Sequence, residues 1–263
     1  MLRAGRIRIP NLLQHSLTDL ALPLLSIIIP AHNEENRLPR SLEQVFAFLQ
    51  KQSYEAEVLV IENGSSDRTL AVAQEYASRH ANVRVIHEPG RGKGLAVRRG
   101  MREARGEYRF MCDADLSMPI EEVNKFVPPA LAGFDIAIGS REVQGAVRYD
   151  EPPYRHLGGR LINLIIRVLI LPRLQDTQCG FKCFRAAVAE DLFRRQVLDG
   201  WSFDIEVLYL AQRSGYRIAE VPIDWYYRTE SKVSALRDAI HMIGDIFRIR
   251  ANMRRGVYDA RRS

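Results

Sequence analysis

Four apolar runs in the first half of the chain each end on a polar cluster, and a helical pattern separates each run from the next. The runs are "LLSIIIP" (24–30), "AEVLVIE" (56–62), "NVRVIHE" (82–88) and "EYRFMCDAD" (107–115). The first is a short, continuous apolar run of the kind that reads as a buried strand, and the other three read as strands as well. Between them, "LPRSLEQVFAFLQKQ" spaces Leu42, Val45, Phe46 and Leu49 as one helix face. "SSDRTLAVAQEYASRH" opens on capping residues, and "GRGKGLAVRRGMREARG" is glycine-rich, then helical, with Gly106 as its stop.

Strands alternating with helices through short links predict a parallel sheet covered by helices. Such sheets bind ligands beyond the carboxyl ends of their strands. The clusters "AHNEE", "ENGSSD", "EPGRGKG" and "DAD" all fall at those ends. One cluster would be a loop; four at successive strand ends predict a nucleotide-type site.

The second half is less regular. "FDIAIGSRE" (134–142), "GFKCFRA" and "RIAEVPI" read as strands. "RHLGGRLINLIIRVLILPRL" (155–174) and "SFDIEVLYLAQRSGY" read as helices, the latter ended at Gly215. From Ser231 the tail reads as a basic amphipathic helix, "SALRDAIHMIGDIFRIRANMRR". Residues 1–22 look like a flexible basic arm, 23–230 one catalytic-size domain, and 231–263 an appended helix.

With 46% apolar and 27% charged residues over 263, the chain has the composition of a soluble globular protein. Its net charge of +6 points to an anionic partner: a nucleotide, a phospholipid surface or nucleic acid. The basic tail has no interleaved aromatics and no nucleic-acid module is recognisable, which argues against the last. Cys112, Cys179 and Cys183 have no C-x-x-C spacing and read as reduced thiols, with zinc unlikely to be their partner. "LALPLLSIII" (20–29) is broken by Pro23, and "LINLIIRVLILP" (161–172) carries Arg167, so no run reaches the roughly 20 apolar residues of a span.

Asp113-Ala114-Asp115 places two carboxylates near one point. Two close carboxylates raise each other's pKa unless a cation lies between them. A divalent ion with oxygen ligands, Mg²⁺ or Mn²⁺, suits such a pair and also binds substrate phosphates. A solvated turn is the bland alternative. "GRGKG" opening a helix could approach an anion closely, with Lys93 as a point charge, but it lacks the P-loop and dinucleotide patterns.

Taken in order, "SIIIPAHNEENRL", "VIENGSSDRT", "GRGKGLAVRRGM", "DADLSMP", "GSR", "DTQCGFKCF" and "WSFDIEVLYLA" resemble the family-2 inverting glycosyltransferases, and among them the dolichyl- or polyprenyl-phosphate glucosyltransferases. The resemblance covers roughly residues 24–235. It implies the α/β GT-A nucleotide-diphospho-sugar transferase fold: a mostly parallel, Rossmann-like sheet flanked by helices, here with a C-terminal amphipathic helix.

By position, the resemblance implies that Pro30, Ala31, Asn33 and Glu34 line base and ribose. Glu62 and Asn63 take the place of an acidic pair that reads the base, Gly64 makes the turn, and Lys93 lies against the nucleotide. Asp113 and Asp115 would hold Mg²⁺ or Mn²⁺, with Ala114 between them at the nucleotide-sugar. Arg141 would face the donor and Asp176 the acceptor, while Lys182, Arg228, Ser231 and Lys232 would approach phosphate.

The implied reaction is transfer of glucose from UDP-glucose to a polyprenyl or dolichyl phosphate. It would run on the cytoplasmic face of a membrane contacted peripherally, with homo-oligomerisation left open. Alternatives are a GDP-mannose-dependent mannosyltransferase, a soluble or polysaccharide acceptor, and binding without turnover. Other residues have plainer readings. Trp201 is expected in the core rather than stacked on a sugar. His156 is expected solvated, Glu206 and Asp204 at the acceptor or paired with an arginine, and Asp204 also as a first-turn acid.

Overall fold

The computed structural model describes residues 22–227 and 235–261. In chain order the first half runs β1 (Leu25–Ala31), α1 (Leu38–Leu49), β2 (Ala56–Asn63), α2 (Thr69–Arg79), β3 (Val83–Glu88), α3 (Lys93–Glu103) and β4 (Tyr108–Met111). A 3₁₀ turn follows at Ile120–Lys125. Next come β5 (Ile136–Ser140), β6 (Val147–Tyr149), α4 (Pro153–Leu169), β7 (Lys182–Arg185) and α5 (Ala186–Arg195). The chain continues through α6 (Phe203–Arg213), β8 (Ile218–Pro222), β9 (Asp224–Tyr226) and α7 (Ala235–Arg254).

Seven strands form one sheet in the order β3-β2-β1-β4-β7-β5-β8. All its pairings are parallel except those of β7, which runs antiparallel to both β4 and β5. Successive β1 residues serve opposite faces. Ile27 and Ile29 join α1 and the 3₁₀ turn in one core, and Ile28 joins α3, α5 and α6 in the other. Both faces are covered, so the strand is an unbroken apolar run rather than an alternating one.

The register decides where function can sit. Ala31 pairs with Glu62, and Asn63 with Glu88. Cys112 N–H donates to Ile28 O, which carries the β1–β4 ladder up to the carboxylates. The expected polar clusters therefore emerge at one edge of the sheet. A second, two-stranded ledge stands beside that edge, where β6 and β9 pair in parallel.

Helix α7 packs against α4 and α6. Met242, Ile246 and Ile249 on it are buried, so its main apolar face belongs to the core. Glu206, on α6, is fully buried, and among the described residues its hydrogen-bond donors are backbone and tyrosine groups rather than an arginine. Its carboxylate accepts the backbone N–H groups of Val197 (3.1 Å) and Leu198 (2.8 Å) and the Tyr258 hydroxyl (2.8 Å), tying α6 to the C-terminal segment. The three cysteines are buried and unpaired. Among the described residues no helix is long and apolar enough to cross a membrane.

Candidate functional site

At the end of β4 the chain leaves the core through Cys112 and presents Asp113 and Asp115. The Ser41 hydroxyl fixes the Ala114 carbonyl between them at 2.6 Å. Asp115 accepts the Ser117 N–H at 3.0 Å. Lys93, the first residue of α3, holds its Nζ 2.6 Å from Asp113 Oδ1. Gly180 lies against the same carboxylate, where a Cβ would come within 2.2 Å of Asp113 Oδ2, so no side chain fits there. Burial and the neighbouring Asp113 charge both push the Asp115 carboxyl above its ordinary range. Burial opposes the charge on Lys93, but Asp113, Asp204 and Asp115 together hold its pKa above the ordinary value.

Beneath this pair the charges continue inward. Asp204 in the first turn of α6 and Lys182 at the start of β7 are both buried. Lys182 Nζ lies 2.9 Å from Asp204 Oδ1 as an ion pair. Its hydrogen bond goes to the Cys179 carbonyl. Lys182 is thus shut off from solvent below the site rather than displayed in it. Burial raises the Asp204 pKa, and Lys182 and Lys93 oppose that rise.

Arg141 follows β5 and meets the fully buried Asp176. Its Nε and Nη2 donate to the two carboxylate oxygens at 2.6 and 2.9 Å, and its backbone N–H donates at 3.0 Å. Burial would raise the Asp176 pKa, but the Arg141 guanidinium and these hydrogen bonds hold it down at about 2. The Arg141 guanidinium also stacks 5.5 Å from the Trp225 ring of the β6–β9 ledge. Asp176 therefore aims Arg141 and has no open face of its own.

At the ends of β1 and β2 the clusters bind one another. Asn33 takes a positive φ of 54° and accepts the Ser66 N–H at 2.8 Å. Glu34 pairs with Arg37 at 2.6 Å. Pro30 is half-buried and Ala31 buried at the end of β1. Glu62 is buried with its oxygens held by the Ser65 N–H and His87 Nδ1. Asn63 Oδ1 accepts the Gly92 N–H at 3.1 Å, and its amide donates to the Gly90 carbonyl, so it fastens the glycine-rich loop to β2. Gly64 turns the chain at φ 59°.

Trp201 lies outside the core, more than half exposed, with Lys93 Nζ 5.1 Å from its ring centroid. The segment preceding α6 is clamped to the start of α3. Gln196 Nε2 donates to the Gly94 and Leu198 carbonyls, and Leu95 N–H donates to the Asp199 carbonyl. That clamp leaves the indole at the surface. Sequence reading missed this, and it missed His87, whose side chain is half exposed beside Glu62. His156 pairs with Glu151 at 3.0 Å and is partly solvated, as expected. Arg228, Ser231 and Lys232 lie outside the described residues.

The site thus joins a carboxylate pair, a lysine at a helix start and a clamped arginine at one edge of a mostly parallel sheet. Comparison with known proteins fits that geometry. Residues 26–193 match the family described as glycosyl transferase family 2. The chain belongs to that family. This family-2 glycosyltransferase is 33% identical over 248 residues to a dolichyl-phosphate beta-glucosyltransferase of Dictyostelium discoideum, covering 89% of this chain and 76% of that protein. It is 34% identical over 240 residues to the protein so named in Drosophila melanogaster, covering 86% and 74%. The Homo sapiens protein of that name is 31% identical over 258 residues, covering 92% and 80%.

In fold, the family-2 chain is similar to glucosyl-3-phosphoglycerate synthase from Mycobacterium tuberculosis in complex with uridine diphosphate. The TM-score is 0.61 at 19% identity, over 86% of this chain and 80% of that one. Other crystal structures of that synthase hold Mn²⁺ with UDP-glucose (TM-score 0.58) or Mg²⁺ with UDP (TM-score 0.59). The architecture is the GT-A arrangement, as the sequence resemblance implied.

Proposed function

We propose that this glycosyltransferase moves glucose from UDP-glucose to a dolichyl or polyprenyl phosphate, with inversion, at the cytoplasmic face of a membrane that it contacts peripherally. The observation that carries the reading is the Asp113–Asp115 pair standing off β4 beside Lys93, on a chain whose relatives bear the name dolichyl-phosphate beta-glucosyltransferase. A nucleoside diphosphate needs its negative charge neutralised where it leaves, and this is the place for it.

The pair suits a divalent ion on chemical grounds. Both donors are carboxylate oxygens, and burial together with the Asp113 charge raises the Asp115 pKa, a penalty that a divalent cation between them would relieve. Among the described residues no cluster of three acidic, histidine or cysteine ligands exists, so water and diphosphate would complete the shell. Asp113 and Asp115 would hold Mg²⁺ or Mn²⁺, which when bound supplies charge stabilisation to the leaving diphosphate.

The chain's own residues do the rest. Lys93 stays protonated and offers a second cation to the diphosphate. Trp201 supplies an exposed aromatic face over Lys93 for the nucleotide or sugar. Pro30, Ala31, Asn33, Glu34, Glu62, Asn63 and Gly64 shape the base and ribose side. Arg141, held in one orientation by Asp176, presents its remaining edge to phosphate.

A phosphate oxygen of the acceptor attacks the anomeric carbon from the face opposite UDP. The new C–O bond forms as the old one breaks, and UDP leaves with the bonding pair. The acceptor is already an anion at neutral pH, so no general base is required. Asp176 serves as a positioning residue, and Arg228, Ser231 and Lys232 are proposed to contact phosphate.

The test is a panel of radiolabelled UDP-glucose, UDP-galactose and GDP-mannose, each offered with polyprenyl phosphate and scored for label in the organic phase. Label from UDP-glucose supports the reading. Label from GDP-mannose alone would replace the donor, and label in no organic phase would remove the lipid acceptor.

A further inference from the structure

Helix α4 is amphipathic in an unusual sense: both of its faces are apolar. Its inner face contributes the buried Ile166 to the core, with Ile162 and Leu169 packed against it. Its outer face carries Tyr154, Leu157, Leu161, Leu164 and Val168, spaced alternately three and four residues apart. All five are exposed, Leu157 at 71% and Val168 at 75%. That stripe is roughly 21 Å long at 1.5 Å rise per residue. Ile240 and Phe247 of the neighbouring α7 are exposed as well. Exposed apolar residues gathered on two packed helices mark an interaction site.

We infer that the outer face of α4, with the exposed side of α7, lies on an anionic lipid bilayer and presents the site to it. This rests on the proposed lipid acceptor. Charge selects the occupant. Helix α4 contains no acidic residue, and Arg160 and Arg167 are exposed directly beside the stripe, one heptad apart. Helix α7 adds the exposed Arg248, Arg250 and Arg254, and the turn after it the exposed Arg255. Apolar residues flanked by arginines that can lift their guanidinium groups to headgroup level are the signature of an interfacial helix.

A second copy of the chain fits less well. The three-four spacing resembles a coiled-coil seam, but such seams pair opposite charges on their flanks. Here the flank of α4 is arginine only, and two copies would bring like charges together.

The face is also continuous with the site. Tyr154 begins α4 just after the β6–β9 ledge, where the exposed Tyr149 stacks on Tyr226 at a centroid distance of 4.4 Å. Tyr226 N–H donates to the Ser117 carbonyl at 2.7 Å, two residues beyond Asp115. Arg148, next to Tyr149, donates through Nε to the Arg141 carbonyl at 3.3 Å. A lipid phosphate in a bilayer under α4 would meet this ledge on its way to Arg141.

Two segments of the sequence suit peripheral docking: the apolar helix around "LINLIIRVLIL", with Arg160 and Arg167 able to snorkel, and the tail, with Leu236, Ile240, Ile243, Ile246 and Phe247. Of the tail residues Ile246 is buried while Ile240 and Phe247 are exposed, and α4 carries most of the exposed apolar surface.

The test uses the full-length protein and cosedimentation with phosphatidylcholine vesicles, with and without phosphatidylglycerol, at low and high salt. The wild type should bind the anionic vesicles and release with salt. Replacing Leu157, Leu161, Leu164 and Val168 together with glutamine should cut binding roughly tenfold or more and leave thermal melting unchanged. The charge-reversed pair Arg160→Glu and Arg167→Glu should lose the preference for anionic vesicles. Equal binding by wild type and the four-glutamine protein overturns the inference, as does a wild type that ignores vesicles. A wild-type dimer in vesicle-free solution that the four-glutamine protein loses would reassign the face to self-association. A protein that docks through this face yet makes no lipid-linked sugar would remove the functional reading and leave the docking face standing.

Discussion

Asp176 holds Arg141 by three hydrogen bonds, two from the guanidinium and one from the backbone. The carboxylate is fully buried, and the arginine is the partner that reaches the surface. The pair therefore works as an aimed cation. Asp176→Ala would leave Arg141 half-sunk without its counter-charge. Breaking a buried pair of this kind costs about 3–5 kcal/mol, with the partial exposure of Arg141 favouring the lower end. Urea denaturation should show that loss, and turnover should fall while donor binding changes little. An Asp176→Ala protein of wild-type stability would mean that Arg141 is held by other groups.

The same pair gives stability a pH dependence. The folded Asp176 pKa, about 2, lies below the ordinary carboxyl value near 3.9. The unfolded state thus takes up protons first as pH falls. The contribution is fully present above about pH 4 and is lost as pH drops through about 2. The stability difference between wild type and Asp176→Asn should shrink across that window in acid-titrated melting curves. A difference that stays constant down to pH 2 would contradict the assignment.

Lys182 and Asp204 make a stability prediction where the sequence suggested a phosphate contact. Both are buried, 2.9 Å apart. Lys182→Met should destabilise the protein by about 3–5 kcal/mol, because Asp204 is left buried and uncompensated. The double variant Lys182→Met with Asp204→Asn should recover much of that loss. If Lys182→Met melts like wild type and raises only the acceptor KM, Lys182 is a ligand-binding residue after all.

Gly92 fixes the approach of Lys93. Its φ is 136°, and an added Cβ would lie 2.2 Å from the Asp199 carbonyl. Gly92→Ala should cost about 1–3 kcal/mol from backbone strain alone, before the collision is counted. Because Lys93 is the next residue, donor KM should rise as well. Differential scanning calorimetry and initial rates would show both, and an unperturbed Gly92→Ala protein would mean that the loop is free to move.

The first four strands were legible because a strand covered on both faces must be an apolar run, and its ligand-side end must turn polar. Asp113, Asp115 and Lys93 could be picked out for that reason. The antiparallel β7 between β4 and β5 was not legible, since its four residues, "KCFR", carry no mark of direction. Nor were the three-residue strands β6 and β9, which are too short for a period to show. Trp201 was misjudged because its exposure depends on the Gln196–Gly94 clamp, a contact across about a hundred positions of sequence. Glu206 reads as a catalytic-type acid until its three buried donors are seen. In α4 the sequence reads equally as a docking helix or as one packed on the sheet; only packing tells which side is covered and which is left uncovered.

The central claim is that Asp113 and Asp115 hold the divalent ion that lets UDP leave. It is tested most directly by label transferred from UDP-glucose to polyprenyl phosphate. Four reactions are compared: wild type with Mn²⁺, wild type with EDTA, and Asp115→Ala with and without Mn²⁺. The account predicts organic-phase label in the first alone, with Asp115→Ala still folded by circular dichroism. Equal label in all four would contradict it.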